Sequence, residues 1–292
     1  MKKELNIKIF VTHFNNPNCI YEDNIFVPIQ AWKKNSKIDL WIQWDDTWDN
    51  ISDKNSQYAE LTTQYWVRKN YDLKNVDYIW FCHYRRYMTY NYRYNILKFW
   101  NNFSKQQNIF GKIWSIATYL LWQQINQPFD NGKIEIFSDA IKTYFMNNKY
   151  DIYLAKRQLN FTIKPFHNVW LYNENLWEIA HNIIIKHDKT FEKTIQKIDN
   201  LKRCNWCNIW IMNKNLFMEY SEWLFSILFE FEKELNAKNL LELGYKEPIT
   251  AWTRFLWCFW ERLFNLRIAH KKEHWLKVSH DANIIFFDDI KK

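Results

Sequence analysis

Glycine and proline are scarce in this chain: 3 Gly and 5 Pro in 292 residues. No G-x-G-x-x-G and no G-K-[ST] occurs, so a Gly-rich dinucleotide loop and a P-loop are both excluded. Cysteine is sparse and odd in number, at Cys19, Cys82, Cys204, Cys207 and Cys258. That pattern fits a reducing compartment rather than a disulfide framework. Cys204 and Cys207 have C-x-x-C spacing, but no second C-x-x-C completes a zinc ribbon, so two structural thiols are favoured over a metal or redox pair. Long apolar runs are missing too. The longest uncharged stretch, Ile113 to Phe129, carries Gln123, Gln124, Asn126, Gln127 and Pro128, and falls short of the ~20 apolar residues of a membrane span. The first residues lead directly into a strand-like run, without the apolar segment of a signal peptide. A cytoplasmic protein is expected, with peripheral contact to an inner-membrane surface.

What the chain has is aromatic mass and positive charge. Aromatics make up 20% of residues, 18 of them tryptophan, and the net charge is +8. The charge points to an anionic partner. The basic residues are dispersed, with no long Lys/Arg run, so nucleic acid is not the expected one. The length suits one large domain. The expected division is a nucleotide-binding half over residues 1–160 and a helical, acceptor-side half over 161–292.

The pattern alternates strand and helix. Ile7–Thr12, Ile38–Trp44, Val76–Cys82, Tyr150–Ala155 and Cys207–Met212 read as strands. Gln57–Lys69 reads as a helix, with Tyr58, Leu61 and Tyr65 on one side. Further helices are expected at Ile134–Asn147, within Asn173–Asp199, at Asn215–Leu235 and at Trp252–Arg267. Phe217, Tyr220, Leu224, Leu228 and Phe231 recur at the three- and four-residue spacing of a buried face. Such alternation predicts an α/β fold with a mostly parallel sheet flanked by helices and a helical C-terminal part.

Candidate chemistry collects at strand ends, where open α/β sheets hold their ligands. Asp45 and Asp46 follow the second expected strand and could accept hydrogen bonds from a base or ribose; a solvated loop is the plainer alternative. Asp49, Asn50 and Asn55 belong to a polar run before a helix. There they could line a sugar or pyrophosphate pocket, or cap the helix. Glu60 falls in that helix's first turn, where the dipole favours an acid. The third strand ends in His83-Tyr84-Arg85-Arg86. Two arginines suit bidentate contact with phosphate, and His83 adds a donor; pairing of the arginines with Asp49 or Glu60 is the structural alternative. His13 closes the first strand and, with His167, stands out among otherwise ordinary histidines.

These blocks resemble a bacterial family found in capsular-polysaccharide and lipopolysaccharide gene clusters, long catalogued only as a domain of unknown function. The resemblance rests on D-N-I-S-D-K-N-S-Q-Y-A-E-L-T-T-Q-Y-W-V-R-K-N (Asp49–Asn70), D-Y-I-W-F-C-H-Y-R-R-Y (Asp77–Tyr87), Y-D-I-Y-L-A-K, C-N-I-W-I-M with Y-S-E-W-L-F-S-I-L, and R-F-L-W-C-F-W-E-R-L. Members are treated as glycosyltransferases, with galactofuranosyl transfer assigned to some. The resemblance implies a GT-A-like fold and a donor that is a nucleotide sugar, UDP-linked. It implies a lipid-linked or oligosaccharide acceptor. By position, the donor-binding set becomes His13, Asp45, Asp46, Asp49, Asn50, Asn55 and Glu60, with Tyr84, Arg85, Arg86 and Arg262. His83, Asp151 and Glu261 are the catalytic candidates, the last two as general base by position and resemblance only. Glu261 beside Arg262 reads equally as a buried ion pair.

The GT-A fold usually holds a divalent metal on a D-x-D, and His83-Tyr84-Arg85 stands in its place. No cofactor and no metal are therefore expected, with Arg85 and Arg86 stabilising the diphosphate. The chain also departs from the family, which usually has a small residue where Trp48 and Trp80 stand and often Cys where Ala59 stands. A non-catalytic nucleotide- or glycan-binding protein on the same scaffold is the alternative function.

Overall fold

The computed structural model describes residues 5–14, 20–84, 86–89, 124–125, 149–155, 158–159, 174–198, 203–205, 209–238 and 255–287. The expected helix at Ile134–Asn147, Arg85, His167 and Cys207 lie outside them.

The first strand, β1 (Ile7–His13), is buried almost throughout. β2 (Phe26–Gln30) runs parallel beside it, and β3 (Gln43–Trp44) beside β2. On the other side of β1 lies β4 (Tyr78–His83), also parallel. Next comes β10 (Trp210–Asn213), antiparallel to β4, then β7 (Ile152–Ala155) and β11 (Val278–Phe287), each parallel to β4 in direction. The result is a nine-stranded sheet, seven of whose strands run in the order β3-β2-β1-β4-β10-β7-β11, parallel apart from β10. β5 (Arg86–Thr89) hairpins back from β4 and pairs with β11, closing that side of the sheet on itself. Shorter strands are β6 (Gln124–Ile125), which pairs with β11, and β8 (Gln158–Leu159) with β9 (Arg203–Cys204).

The helices are α1 (Asn55–Tyr58), α2 (Leu61–Asn70), α3 (Glu174–His187), α4 (Phe191–Ile198), α5 (Lys214–Ala237) and α6 (Phe255–Lys272). α5 follows β10 directly, and Asn213 caps it by accepting the Leu216 amide at 2.8 Å. Phe217, Tyr220, Leu224, Leu228 and Phe231 are all buried on it, as their spacing predicts. The Phe217 ring stacks on Phe81 of β4 at 5.5 Å. Trp260 of α6 donates its indole N–H to the Tyr220 hydroxyl at 2.7 Å, which lets both large rings sit in the dry interior. Phe10, Trp66, Ile79, Trp177, Leu224 and Leu263 belong to one apolar cluster, so residues of both halves share a core.

Three expectations change. The second strand is Phe26–Gln30, not Ile38–Trp44, of which only Gln43–Trp44 is extended. Pro28 has no N–H for a ladder, and it is accommodated where β3 does not pair with β2, since β3 meets only Ile29 and Gln30. The stretch before β3 is instead a loop pinned by buried Gln30, whose amide donates to Ile38 O at 2.7 Å and accepts from Leu40 N at 3.0 Å. The expected single helix over Gln57–Lys69 is broken at Ala59, which adopts φ 46° and ψ −129°. Finally, the C-terminal part is not only helical. After α6 the chain returns to the sheet as β11, whose first half, V-S-H-D-A-N, is too polar to announce a strand.

Candidate functional site

Strand register brings several side chains to one edge. Thr12 lies opposite His83, His13 opposite Gln30, and Gln30 opposite Trp44. All are at the carboxyl ends of parallel strands, the edge where such sheets bind ligands. Tyr84 continues from β4 and ties its N–H to Thr12 O at 3.2 Å.

His13 is 2% exposed. Its ring stacks on Tyr84 at 5.7 Å and 21°. Burial without a charged partner pushes its pKa down to about 4, so it is neutral at pH 7. His83 is half-buried and packs between Phe14 and Tyr84, at 5.6 and 4.2 Å. Arg86 opens β5 directly opposite His83.

Asp45 follows Trp44 and is fully buried. It accepts four hydrogen bonds: from the Trp32 and Lys33 amides at 3.1 and 3.2 Å, and from the Ser52 and Thr62 hydroxyls at 2.6 Å each. Burial raises its pKa, and these four donors oppose that rise. The carboxylate therefore clamps three segments together, and its acceptor capacity is spent inside the protein. The direct base contact expected of it has no lone pair left. Asp46, next to it, is half-buried.

The polar run after Asp46 is likewise a built turn. Asn50 donates to Asp46 O and Trp48 O and accepts from Ser52 N. Asp49 takes the Tyr65 hydroxyl at 3.0 Å and pairs with Lys69 at 3.0 Å; these hydrogen bonds, the Lys69 one first, hold it below the usual carboxylate range. Lys69 is thus its ionic partner among the described residues. Asn55 is buried and donates to Ala59 O and Thr62 Oγ1. Glu60 immediately precedes α2, with its carbonyl accepting the Thr63 hydroxyl, which also meets Thr12 Oγ1 at 2.9 Å. Asp49, Asn50 and Asn55 thus bond within the loop and the helices that follow it, but the expected capping is not seen: neither α1 nor α2 has a side-chain hydrogen bond at its N-cap.

Asp151 does not join this edge. It stands at the start of β7, with one oxygen on Asn213 Nδ2 at 3.0 Å and the other on Lys277 N at 2.9 Å. Its neighbour Ile152 is level with Met212, and Met212 with Ile79. That row is four residues before His83, or roughly 13 Å along the strand. Glu261 is half-buried on α6, the helix that meets α1, and its carbonyl accepts from Asn265 at 2.7 Å. Arg262 lies over the Trp177 ring at 5.2 Å, and burial lowers its pKa.

Sequence reasoning passed over the residues that hold the edge in place. Gln30, Ser52, Thr62 and Thr63 are buried and polar. Glu232 of α5 reaches the loop from far along the chain, taking Lys54 Nζ at 2.7 Å and the Tyr58 hydroxyl at 2.9 Å. Small hydroxyls beside a buried carboxylate carry no spacing signature. Only the fold reveals them.

Among the described residues, no three His, Cys, Asp or Glu side chains converge as a metal-ligating group. At the end of β4 the described side chains, those of His83 and Tyr84, are an imidazole and a buried phenol, neither a preferred ligand of a hard divalent cation. Among the described residues, no helix is long and apolar enough to cross a membrane.

Residues 8–272 match the profile of a family described as a domain of unknown function, DUF4422. The chain belongs to that family. No curated protein matches the chain. Among solved structures, the DUF4422 chain is similar to the WbbM bifunctional glycosyltransferase in its apo form, at 25% identity and a TM-score of 0.74. The match covers 97% of this chain and 46% of that one. The DUF4422 chain thus spans less than half the length of the structure it resembles.

Proposed function

We propose that this chain is a glycosyltransferase that moves a sugar, galactofuranose or another hexose, from a UDP-linked donor to a capsular or lipopolysaccharide glycan. The observation that carries this reading is the row His13, Gln30, Trp44 and His83 with Tyr84 at the carboxyl edge of parallel strands. Family membership and the likeness to a bifunctional glycosyltransferase support it. In the reaction, the acceptor hydroxyl attacks the anomeric carbon and the bond to the diphosphate breaks. Negative charge grows on the leaving diphosphate. His13 is neutral and brings no compensating charge. Arg85 and Arg86, following His83, supply it in place of a metal ion. Asp151, at the other end of the sheet, takes no part. The positive net charge favours work beside an anionic membrane surface.

A second reading, nucleotide binding without transfer, is favoured by the inward commitment of Asp45 and Asp151, which leaves neither free as a base. Donor turnover separates the two. With UDP-galactofuranose and an oligosaccharide acceptor, the transferase reading expects release of UDP, undiminished in EDTA. Tight donor binding with neither hydrolysis nor transfer would overturn it in favour of the binding protein. Complete loss of turnover in EDTA, restored by Mg²⁺ or Mn²⁺, would overturn the role given to the arginines.

A further inference from the structure

A chain of this length ordinarily carries roughly 20 glycines. This one carries 3, with 18 tryptophans, and all three glycines (Gly111, Gly132 and Gly244) lie outside the described residues. The two types together come to about an ordinary chain's share of glycine alone. The backbone still makes the turns that glycine serves. Five described residues have positive φ, and four are tryptophan: Trp32 at 60°, Trp41 at 55°, Trp48 at 50° and Trp275 at 70°, with Ala59 as the fifth. A bulky residue in the left-handed region is a conformational outlier, because its Cβ crowds the following carbonyl. Glycine has no Cβ and enters freely.

Their surroundings say the same. Trp275 follows α6, and the Leu276 amide reaches back to Lys271 O at 3.3 Å. That bond, closing a helix around a left-handed residue, is the Schellman arrangement, whose left-handed position is most often glycine. Trp41, Trp48 and Trp275 are 87%, 76% and 93% exposed, so burial gives nothing back for the strain. Even where Trp48 lies over Trp66, at 6.2 Å, it stays in solvent. Two others behave as tryptophan does. Trp66 is buried and donates its N–H to Thr47 O at 3.1 Å and Thr47 Oγ1 at 2.9 Å; Trp260 is buried and donates to Tyr220. By contrast, Trp80 and Trp210 are fully buried with indole N–H groups that lack a partner among the described residues.

We propose that positions 32, 41, 48 and 275 are glycine in the native polypeptide, the codon read as tryptophan at these sites being decoded as glycine in the cell of origin. Three of the four border the strand-edge row, around β3 and the clamp of Asp45. With glycine there, the rim of the candidate site is bare backbone, open to close approach by a ligand. The inference stands independently of the transferase reading, because it rests on composition, backbone geometry and exposure.

Tandem mass spectrometry of the protein purified from its own cells tests it. Glycine is expected at 32, 41, 48 and 275, with tryptophan at 66. Tryptophan at the four positions would overturn the proposal. A second measurement compares two chains made in one standard host, the sequence as written and its Trp32→Gly, Trp41→Gly, Trp48→Gly, Trp275→Gly variant. The variant is expected to melt higher by about 5 °C or more, while Trp66→Gly melts lower. A fourfold variant that melts no higher would contradict the claim that these are glycine positions.

Discussion

Asp45→Ala is expected to lower the unfolding free energy by about 3–5 kcal/mol, among the largest effects of any single substitution outside the apolar core. The reason is the number of groups it strands. Two backbone amides and two hydroxyls end on this buried carboxylate. Each unsatisfied buried donor costs on the order of 1–3 kcal/mol, partly recovered where water enters the space left behind. Asp45→Asn should lose less, because one oxygen is kept, but its amide N–H₂ would face donors it cannot bond. Urea denaturation of the three proteins checks this. A loss below about 1 kcal/mol for the alanine variant would mean that the clamp is not held as described. Since Asp45 joins the loop after β2, the turn before α1 and α2 itself, weakened ligand binding is expected to accompany lost stability.

Acid should destabilise the protein well above the carboxylate range, through His13. The imidazole titrates at about 4 when folded, against an ordinary 6.5. Above 6.5 neither state binds the proton. As pH falls below that, the unfolded chain takes it up and the folded chain does not. Stability is therefore present above the unfolded value and is lost as pH falls toward the folded one. The whole shift corresponds to about 3 kcal/mol, lost progressively between pH 6.5 and 4. Asp45 runs the other way, since its raised pKa favours folding in acid as pH drops toward the ordinary carboxylate value. The His13 contribution is isolated by His13→Phe, which keeps a ring against Tyr84 and cannot titrate. The difference in unfolding free energy between wild type and variant is expected to change by about 3 kcal/mol across that window. A constant difference would contradict the burial of a neutral His13.

Much of the fold was legible because hydrophobic pattern carries it. β1 and β4 are short apolar runs, and α5 has an uninterrupted helical stripe. What escaped depends on partners. Phe26–Gln30 hides its strand behind Pro28. Nothing in Q-Y-A-E foretells a left-handed Ala59 between two helices, and β11 opens with polar residues. The site divides the same way. His83 and Tyr84 could be placed from the apolar run they terminate. Asp151 could not, because its position relative to His83 depends on β7 running parallel to β4, and local sequence does not state strand direction. Asp45 was visible as a residue at a strand end, but its inward role depends on Ser52 and Thr62 arriving from the following turn and helix.

The central claim is that a nucleotide diphosphate sugar binds at the carboxyl edge of the sheet, at the end of β4 where the sequence reads H-Y-R-R. Calorimetric titration with UDP, UDP-galactose and UDP-galactofuranose, in EDTA and in Mg²⁺, on wild type and Arg85→Ala, tests it most directly. The expected result is binding that is independent of metal in wild type and lost in the variant, with the variant's circular dichroism unchanged. Binding that is undiminished in Arg85→Ala, or absent for all three ligands in wild type, would contradict it.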